Sequence, residues 1–433
     1  MMLSNRWKLI ISCLLVGLLA LPECWLRLWA GRSEAAMLSD DTTTRLDIGA
    51  SRNQAFVLVH IGDSHVQAGH MSGLLRKELQ QRFGSAGRGW ISPYKLYGSN
   101  QPTDYSVQAS PSRWHYKLIT QQNRTPQAVG PSGILLRPAA QNFNLSLSLK
   151  NTEQFDRVYV HRSYHAAPLK PGSNTGYTLL PSQQRSDMVV DTLLLDIPTS
   201  SLRLIPNSTV VFGEDTGYSG FVLELTETKK RKIFYHEIGL NGAVMDQYAS
   251  DVYMQGLASL RPNIVLVSLG TNECTGRNFN EEVYLSSLDR LVTLLQEYCP
   301  QAQIVFTTPP PFFRTTRLKA GSKRVRRGRG KKARYRRVPV YRTQVEPNDN
   351  TLKAAKAMRR YCQERGIVCI DLHEMMGGND GALRWTEEGL YGADKVHFTV
   401  EGYQRQGRLI LKELEPVVEK AMQGKNKSLS EKD

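Results

Sequence analysis

Residues 56–70 read FVLVHIGDSHVQAGH, an apolar run that stops at Gly62 and gives way to small and polar residues. An uninterrupted apolar run of this length is typical of a strand that is buried on both faces of a parallel sheet. The following residues, 70–84, carry apolar side chains at helical spacing and end in a glycine. This strand, turn and helix predict the first unit of an α/β fold and place Ser64 at the end of its strand.

The rest of the sequence shows two different patterns of apolar residues. From about residue 100 to 234, short alternating runs such as NLSLSLK are separated by Gly, Pro, Asn and Ser, a pattern typical of a β-sandwich. From Ile233 onward, apolar strands and amphipathic helices alternate again. We therefore predict one α/β domain with a parallel sheet, built from residues 54–100 and 233–422, interrupted by an inserted β-rich domain at 101–232 and followed by a polar tail at 423–433.

Residues 1–30 begin with basic side chains and continue into an apolar stretch from Leu9 to Leu21. This pattern predicts a secretory signal peptide, and the apolar residues that resume around Trp25 also permit an uncleaved membrane anchor. A buried N-terminal helix is the remaining alternative. Residues 31–53 are polar and predict a linker, so we expect an exported protein of the periplasm or cell envelope.

Export permits disulfide bonds, and four cysteines follow the N-terminal segment: Cys274, Cys299, Cys362 and Cys369. None of them shows the paired C-x-x-C spacing of a zinc site. We expect zero or one disulfide, no metal and no cofactor.

The formal net charge of +16 is concentrated in one segment. Residues 314–342 hold 14 Lys and Arg and no acidic residue, so the rest of the chain is nearly neutral. A run of like charges is most often a disordered, solvated insertion. The alternative is a site for an anionic envelope polymer. The segment has only Tyr335 and Tyr341 as aromatic residues, too few for a nucleic-acid stacking platform, so no nucleic acid is expected.

Four short polar motifs lie at predicted strand ends or near the C-terminus: GDSH (62–65), IGLNGA (238–243), GTNE (270–273) and ADKVHFT (393–399). Each is ordinary alone, since a Ser before a helix is most often an N-cap and an Asn after Gly-Thr is most often a turn residue. Ligands of open parallel sheets bind at the carboxyl ends of the strands. We therefore expect the first three motifs to meet at one edge of the sheet.

Together these motifs supply a serine nucleophile, a base to activate it and donors to stabilise the oxyanion. Ser64 needs a base to remove its proton, and His397 with Asp394 three residues before it forms an oriented pair within one loop. The oxyanion that forms on attack needs preorganised donors, for which we predict the N–H groups of Ser64 and Gly242 and the side chain of Asn272.

These blocks resemble the SGNH (GDSL) hydrolase family in type and in order. The resemblance covers residues 55–100 and 235–415, and the phrases FGSAGRGWISPY and GLYGADKVHFTVEGY are similar to bacterial envelope members, among them peptidoglycan O-acetylesterases with an inserted carbohydrate-binding-like β-sandwich. It implies a flavodoxin-like, three-layer α/β/α domain that carries the insert. It also implies a catalytic triad of Ser64, Asp394 and His397.

The sequence departs from the family pattern at three places without losing a catalytic atom: His65, Glu273 and Phe398. In the second block Gly239 competes with Gly242 as the oxyanion donor, and we favour Gly242 because it stands in NGA. We expect His65 to be structural or to line the substrate pocket.

The resemblance implies an esterase that removes O-acetyl groups from an envelope polysaccharide, with peptidoglycan as the leading substrate. An O-acetyltransferase or an esterase on another glycan shares the same nucleophile and remains open. A noncatalytic surface protein that binds anions through its basic segment is the alternative from a different class. Aromatic residues of the insert are either a sugar platform or, more commonly, core: Trp114, Tyr159, Tyr164 and Tyr218.

Overall fold

The structure is a computed structural model, and it describes residues 55–121, 129–172, 175–185, 187–226, 232–327 and 334–430. The predicted signal or anchor at 1–30 and the predicted linker at 31–53 lie outside these residues. Within the described ranges, no helix combines the length and the apolar character that crossing a bilayer requires.

The strands are, in chain order, β1 (Phe56–Gly62), β2 (Gly89–Ile91), β3 (Tyr105–Ser110), β4 (Trp114–Leu118), β5 (Ile134–Pro138), β6 (Asn144–Leu149), β7 (Phe155–Ser163), β8 (Leu169–Pro171), β9 (Tyr177–Arg185), β10 (Met188–Thr199), β11 (Ser201–Pro206), β12 (Tyr218–Glu224), β13 (Ile233–Gly239), β14 (Ile264–Ser268), β15 (Gln303–Thr307), β16 (Phe313–Arg327), β17 (Arg334–Pro347) and β18 (Val368–Ile370). The helices are α1 (Ser64–Gln67), α2 (Met71–Phe83), α3 (Met245–Tyr248), α4 (Asp251–Ala258), α5 (Glu281–Tyr298), α6 (Asp349–Glu364), α7 (Leu372–Met375), α8 (Gly378–Glu387) and α9 (Val400–Ser430). Short 3₁₀ turns at Tyr94–Tyr97 and Asn272–Cys274 complete the regular structure.

A parallel five-stranded sheet in the order β13-β1-β14-β15-β18 forms the centre of the molecule. Strand β1 is apolar on both faces because helices cover both sides of the sheet. On one side α2 packs against α9, and on the other α5 packs against α3, α4 and α6. The predicted three-layer α/β/α domain is confirmed.

The register of the sheet brings the ends of three strands together. Gly62 at the end of β1 pairs with Gly239 of β13 on one side and with Ser268 of β14 on the other. Because these strands are parallel, the loops after them emerge at the same edge. The motifs that contain Ser64, Gly242 and Asn272 therefore begin next to one another.

The residues between β1 and β13 form two antiparallel sheets. One has the order β4-β5-β12-β7-β10-β9, with β2 also paired to β12, and the other has the order β3-β6-β11-β8. No helix is present among the described residues of 101–232. Strand β2 belongs to the predicted first part of the α/β domain but joins the sheet of the insert. The domain limits themselves stay a prediction.

Buried ion pairs connect the start of the insert to the α/β domain. The Arg76 guanidinium on α2 lies 2.9 Å from Asp104 and 3.3 Å from Glu237 of β13. Arg88 also donates to Asp104, at 3.3 Å. Because both arginines are buried, removing one carboxylate would leave a buried charge without its partner. This network fixes the insert at the edge of the parallel sheet.

Three of the four aromatic residues considered as a sugar platform are core. Trp114, Tyr159 and Tyr218 are buried, and the Trp114 ring packs edge-on against Tyr218 at 6.3 Å. Tyr164 is 51% exposed. A flat aromatic platform therefore does not form from this set.

The basic segment is a β-hairpin. Strands β16 and β17 pair along their whole described length and form a two-stranded antiparallel sheet of their own. The expectation of a disordered insertion is wrong for these residues, although their side chains are mostly exposed, as a run of like charges requires. We call this hairpin the basic arm.

All four described cysteines are free thiols, three of them buried, so no disulfide joins them. The prediction allowed zero or one bridge, and the described residues contain none.

Candidate active site

Ser64 stands at the first position of α1, immediately after β1. The preceding residue, Asp63, is the N-cap of this helix, and its Oδ1 accepts a hydrogen bond of 2.9 Å from the backbone N–H of His65. An N-cap side chain is committed to the helix backbone. Because Asp63 takes that role, the Ser64 hydroxyl is left to bond elsewhere.

The Ser64 hydroxyl bonds the ring of His397, and His397 in turn bonds Asp394. The distance from Ser64 Oγ to His397 Nε2 is 2.7 Å, and that from His397 Nδ1 to Asp394 Oδ2 is 2.6 Å. The structure therefore joins the three predicted triad residues in one hydrogen-bonded chain, across 333 residues of sequence.

Asp394 is held by its own loop. Its Oδ1 accepts from the backbone N–H groups of Val396 at 3.0 Å and His397 at 2.9 Å. Partial burial raises the pKa of Asp394, but its hydrogen bonds with His397 and Val396 outweigh that effect and lower the pKa to about 2. An ionised carboxylate accepts only, so Nδ1 of His397 carries its proton toward Asp394 and Nε2 presents a lone pair to Ser64.

The two glycines that compete as oxyanion donors have different surroundings. A Cβ on Gly239 would lie 2.2 Å from the backbone nitrogen of Gln67, and the Gly239 N–H already donates to Tyr94 Oη at 3.2 Å. Gly242 has φ +74° and no heavy atom within 4 Å of a Cβ position. This geometry favours Gly242, which faces open space in a left-handed conformation that suits glycine.

Asn272 lies between the second block and the nucleophile turn. Its side-chain Nδ2 donates to Ala243 O at 2.9 Å and more weakly to Asp63 Oδ2 at 3.3 Å. Ala243 follows Gly242 and Asp63 precedes Ser64, so the amide is adjacent to both of the other predicted donors. The structure thus gathers every predicted site residue at the carboxyl edge of the sheet.

A buried and a partly buried carboxyl group, Asp63 and Glu273, lie near this edge. Burial raises the pKa of Asp63 to about 7, and the nearby charge of Glu273 adds to that rise, while the His65 N–H bond opposes it. Burial also raises the pKa of Glu273, whose Oε1 accepts from Met245 N at 2.8 Å. Glu273, a departure from the family pattern, therefore holds the start of α3.

His65 is packed behind the triad and does not face the Ser64 hydroxyl. Its Nδ1 bonds Tyr403 Oη at 3.0 Å, and its ring centre lies 5.2 Å from that of His397. Burial lowers the pKa of His65 to about 3, so the ring is neutral at ordinary pH. These contacts agree with the predicted structural role.

Sequence reasoning missed a residue that orders the second block. The Gln67 side chain accepts from Asn241 N at 2.8 Å and donates to Ser99 Oγ at 2.7 Å. It thereby connects the loop that carries Gly242 to the chain entering the insert. Gln67 stands one helical turn after Ser64. A polar amide so close to the predicted nucleophile is the sequence signal that could have indicated its role.

Known families and structures match this arrangement. The model of the GDSL-like lipase/acylhydrolase family matches residues 206–405, which contain the second and third blocks and the Asp394–His397 loop. Ser64 lies outside the matched segment because the insert separates it from the other blocks. No curated protein matches the chain.

Among solved structures, a peptidoglycan O-acetylesterase is 20% identical and covers 85% of this chain and 92% of its own, with a TM-score of 0.60. A putative GDSL-like lipase from Parabacteroides merdae is 17% identical over 42% of this chain and 72% of its own, with a TM-score of 0.29. A Bacillus subtilis protein is 13% identical over 72% of this chain and 90% of its own, with a TM-score of 0.32.

The fold, the family match over residues 206–405 and the order of the blocks point to one class: this chain resembles the SGNH (GDSL-like) serine hydrolases. Within that class it is similar in fold to the peptidoglycan O-acetylesterase, including the residues between the first and second blocks, since the alignment covers most of both chains.

Proposed function

We propose that this enzyme removes O-acetyl groups from an envelope polysaccharide, with peptidoglycan as its substrate, and that Ser64, His397 and Asp394 are its catalytic triad. The observation that carries the proposal is the continuous hydrogen-bonded chain from Ser64 Oγ through His397 to Asp394. The nucleophile, its base and the carboxylate that orients the base stand in the order that acyl transfer needs.

In the first half-reaction, Ser64 Oγ attacks the acetyl carbon while its proton passes to His397 Nε2. The negative charge that develops on the carbonyl oxygen is stabilised by the N–H groups of Ser64 and Gly242 and by the Asn272 amide. The long 3.3 Å bond from Asn272 to Asp63 is the weaker of its two and is the one exchanged for the oxyanion. The bond to the sugar oxygen then breaks, and His397 returns the proton to that oxygen.

In the second half-reaction, water attacks the acetyl-serine and releases acetate. His397 takes a proton from the water and gives it back to Ser64 Oγ. The His397 and Asp394 side chains are 43% and 53% exposed, so water reaches the base directly.

Peptidoglycan as the substrate is supported by the shared architecture. The solved peptidoglycan O-acetylesterase aligns with 85% of this chain, and that share is too large to come from the catalytic residues alone. The N-terminal sequence also predicts export, and an exported enzyme would meet that polymer in the envelope.

The test compares wild-type protein with Ser64→Ala on two substrates. Wild type is expected to release acetate from p-nitrophenyl acetate, and Ser64→Ala should lose several orders of magnitude in kcat. Acetate release from O-acetylated peptidoglycan should exceed that from acetylated xylan. Wild-type turnover by Ser64→Ala would overturn the triad, and a preference for xylan would overturn the substrate.

A further inference from the structure

The basic arm carries its charge on two distinct faces. Side chains alternate along a strand, and opposite residues of paired strands share a face. The observed register pairs Lys319 with Tyr341 and Arg326 with Tyr335, which puts both tyrosines on one side. The tyrosine face consists of these two rings and five cations: Arg317, Lys319, Arg324, Arg326 and Arg337. The opposite face carries Arg314, Lys323, Arg327, Arg334, Arg336 and Arg342.

On the tyrosine face, two guanidinium groups lie over tyrosine rings. Arg317 Cζ is 4.5 Å from the centre of the Tyr341 ring, and Arg324 Cζ is 4.8 Å from that of Tyr335. An aromatic ring holds a guanidinium by cation–π attraction and leaves its planar N–H fork free to meet a carboxylate or phosphate. These two arginines are therefore preorganised to bind anions.

Like charges face one another across the basic arm and lower the stability of the hairpin. Arg324 stands directly opposite Arg337, and Arg327 directly opposite Arg334, and such like-charge pairs destabilise a hairpin. The described strands contain one carboxylate, Glu346, and it pairs with Arg314 at 3.2 Å. An isolated two-stranded sheet is only marginally stable in water, so repulsion of this kind indicates a surface suited to a polyanion.

The base of the arm is attached to the loop of the catalytic pair. The backbone N–H of Phe313 donates to the carbonyl of Lys395 at 2.9 Å, and Lys395 is the neighbour of Asp394. The buried Phe313 ring also packs edge-on against Tyr391, whose hydroxyl donates to Pro311 O at 2.7 Å. The base of the arm is therefore anchored beside the loop that carries Asp394 and His397.

We propose that the tyrosine face of the basic arm binds the carboxylates of peptide stems along a peptidoglycan strand and so holds that strand beside Ser64. The proposal rests on the proposed function, because the polymer is taken from it. Strand β16 has 15 residues, and at about 3.3 Å per residue the arm extends roughly 50 Å, enough to contact several carboxylates of one strand.

The test measures binding in the Ser64→Ala background, where no acetate is released. Full-length Ser64→Ala protein is co-sedimented with O-acetylated peptidoglycan at rising salt, and the bound fraction should fall by about tenfold as the Debye length shortens. Five substitutions on the tyrosine face (Arg317→Gln, Lys319→Gln, Arg324→Gln, Arg326→Gln and Arg337→Gln) should weaken binding by about a further tenfold.

The matched control removes the same number of charges from the opposite face: Lys323→Gln, Arg327→Gln, Arg334→Gln, Arg336→Gln and Arg342→Gln. It should weaken binding by much less than the tyrosine-face variant. Equal losses in the two variants would show that net charge alone acts, and would overturn the proposal. Melting temperatures of both variants confirm that the α/β domain still folds.

A second control keeps the positive charge but replaces the planar guanidinium by an ammonium group. Arg317→Lys with Arg324→Lys should give binding between wild type and the Gln variant, because an ammonium lacks the planar fork. Wild-type binding by this double variant would contradict the role given to the two stacked arginines.

A final experiment changes the polymer and keeps the protein the same. Peptidoglycan from which an amidase has removed the peptide stems retains its glycan and acetyl groups but loses the stem carboxylates, and it should bind about tenfold more weakly. Undiminished binding to it, or tighter binding to phosphatidylglycerol vesicles or single-stranded DNA, would overturn the proposal. Acetate release by wild type tests the esterase separately, so the two failures are distinguishable.

Discussion

The two halves of the proposed catalytic site are built in different ways. The nucleophile half, with Ser64, Gly242 and Asn272, lies on the turns that follow three buried parallel strands. The acid–base half, with Asp394 and His397, lies on a loop whose two side chains are about half exposed. One half is positioned by the packing of the sheet, and the other by hydrogen bonds within four residues of sequence.

The strand ends beneath the nucleophile half tolerate almost no added volume. A Cβ on Gly62 would lie 2.3 Å from Val66 Cγ2 and 2.8 Å from Ser268 O, and Gly239 is equally enclosed. In close-packed interiors a single added methyl group forces side chains or backbone to move. Substitutions here should therefore change stability, whereas substitutions in the exposed loop should change activity alone.

The largest expected effect is on the exposed half. Asp394→Asn should lower kcat on p-nitrophenyl acetate by about 10⁴-fold, because an amide in place of the carboxylate no longer holds Nδ1–H and the wrong tautomer faces Ser64. The melting temperature should change little, since the loop is solvated. If Asp394→Asn melts far below wild type, the exposed loop also contributes to stability, and the proposed difference between the two halves is wrong.

The next effect separates the two competing glycines. Gly239→Ala should lower the free energy of unfolding by about 3 kcal/mol or more, since its Cβ meets backbone that has no room to move. Gly242→Ala has open space and should cost about 1 kcal/mol for its positive φ. Urea unfolding measures both.

Activity tests the role of Gly242 as an oxyanion donor. Correctly folded Gly242→Ala should lose about 10- to 100-fold in kcat, because the methyl group stands where the acyl oxygen approaches its donors. Full activity in this variant would remove Gly242 from the oxyanion site.

The last effect depends on pH and comes from the buried Asp63 carboxyl. Its pKa is raised to about 7, so between about pH 4 and 7 the folded protein retains a proton that the unfolded chain has released. Stability therefore falls as pH rises through this window, by at most about 1.4 kcal/mol per pH unit for one proton. Asp63→Asn lacks this contribution, so its unfolding midpoint relative to wild type should rise from pH 4 to 7. Parallel pH profiles for the two proteins would contradict the shifted pKa.

Much of the fold was predictable because its signals are local. The apolar run before Gly62 predicted a central parallel strand, and the change of rhythm after residue 100 predicted a β-rich insert. The Asp394–His397 spacing predicted a hydrogen-bonded pair, which the loop forms. The strand and the Asp–His pair are each encoded within about ten residues, and the insert by a repeated short-range alternation.

The basic arm was not predictable in the same way. Its charged residues show no apolar alternation, so the period-two signal of a strand is hidden, although Tyr335 and Tyr341 are an even number apart and therefore share a face. Which residues of β16 and β17 face each other depends on the pairing and on a register shift between Lys319 and Gly321.

The sequence by itself predicted the class of chemistry, since Ser64, Gly242, Asn272, Asp394 and His397 appear in blocks that resemble those of SGNH hydrolases in type and in order. Tertiary structure alone decided three further points: that Asp63 caps α1 and leaves the Ser64 hydroxyl to His397, that Gly239 is enclosed while Gly242 is open, and that the basic arm is attached beside Asp394. These points depend on contacts between distant segments, and such contacts arise only when the strands pair and the core closes.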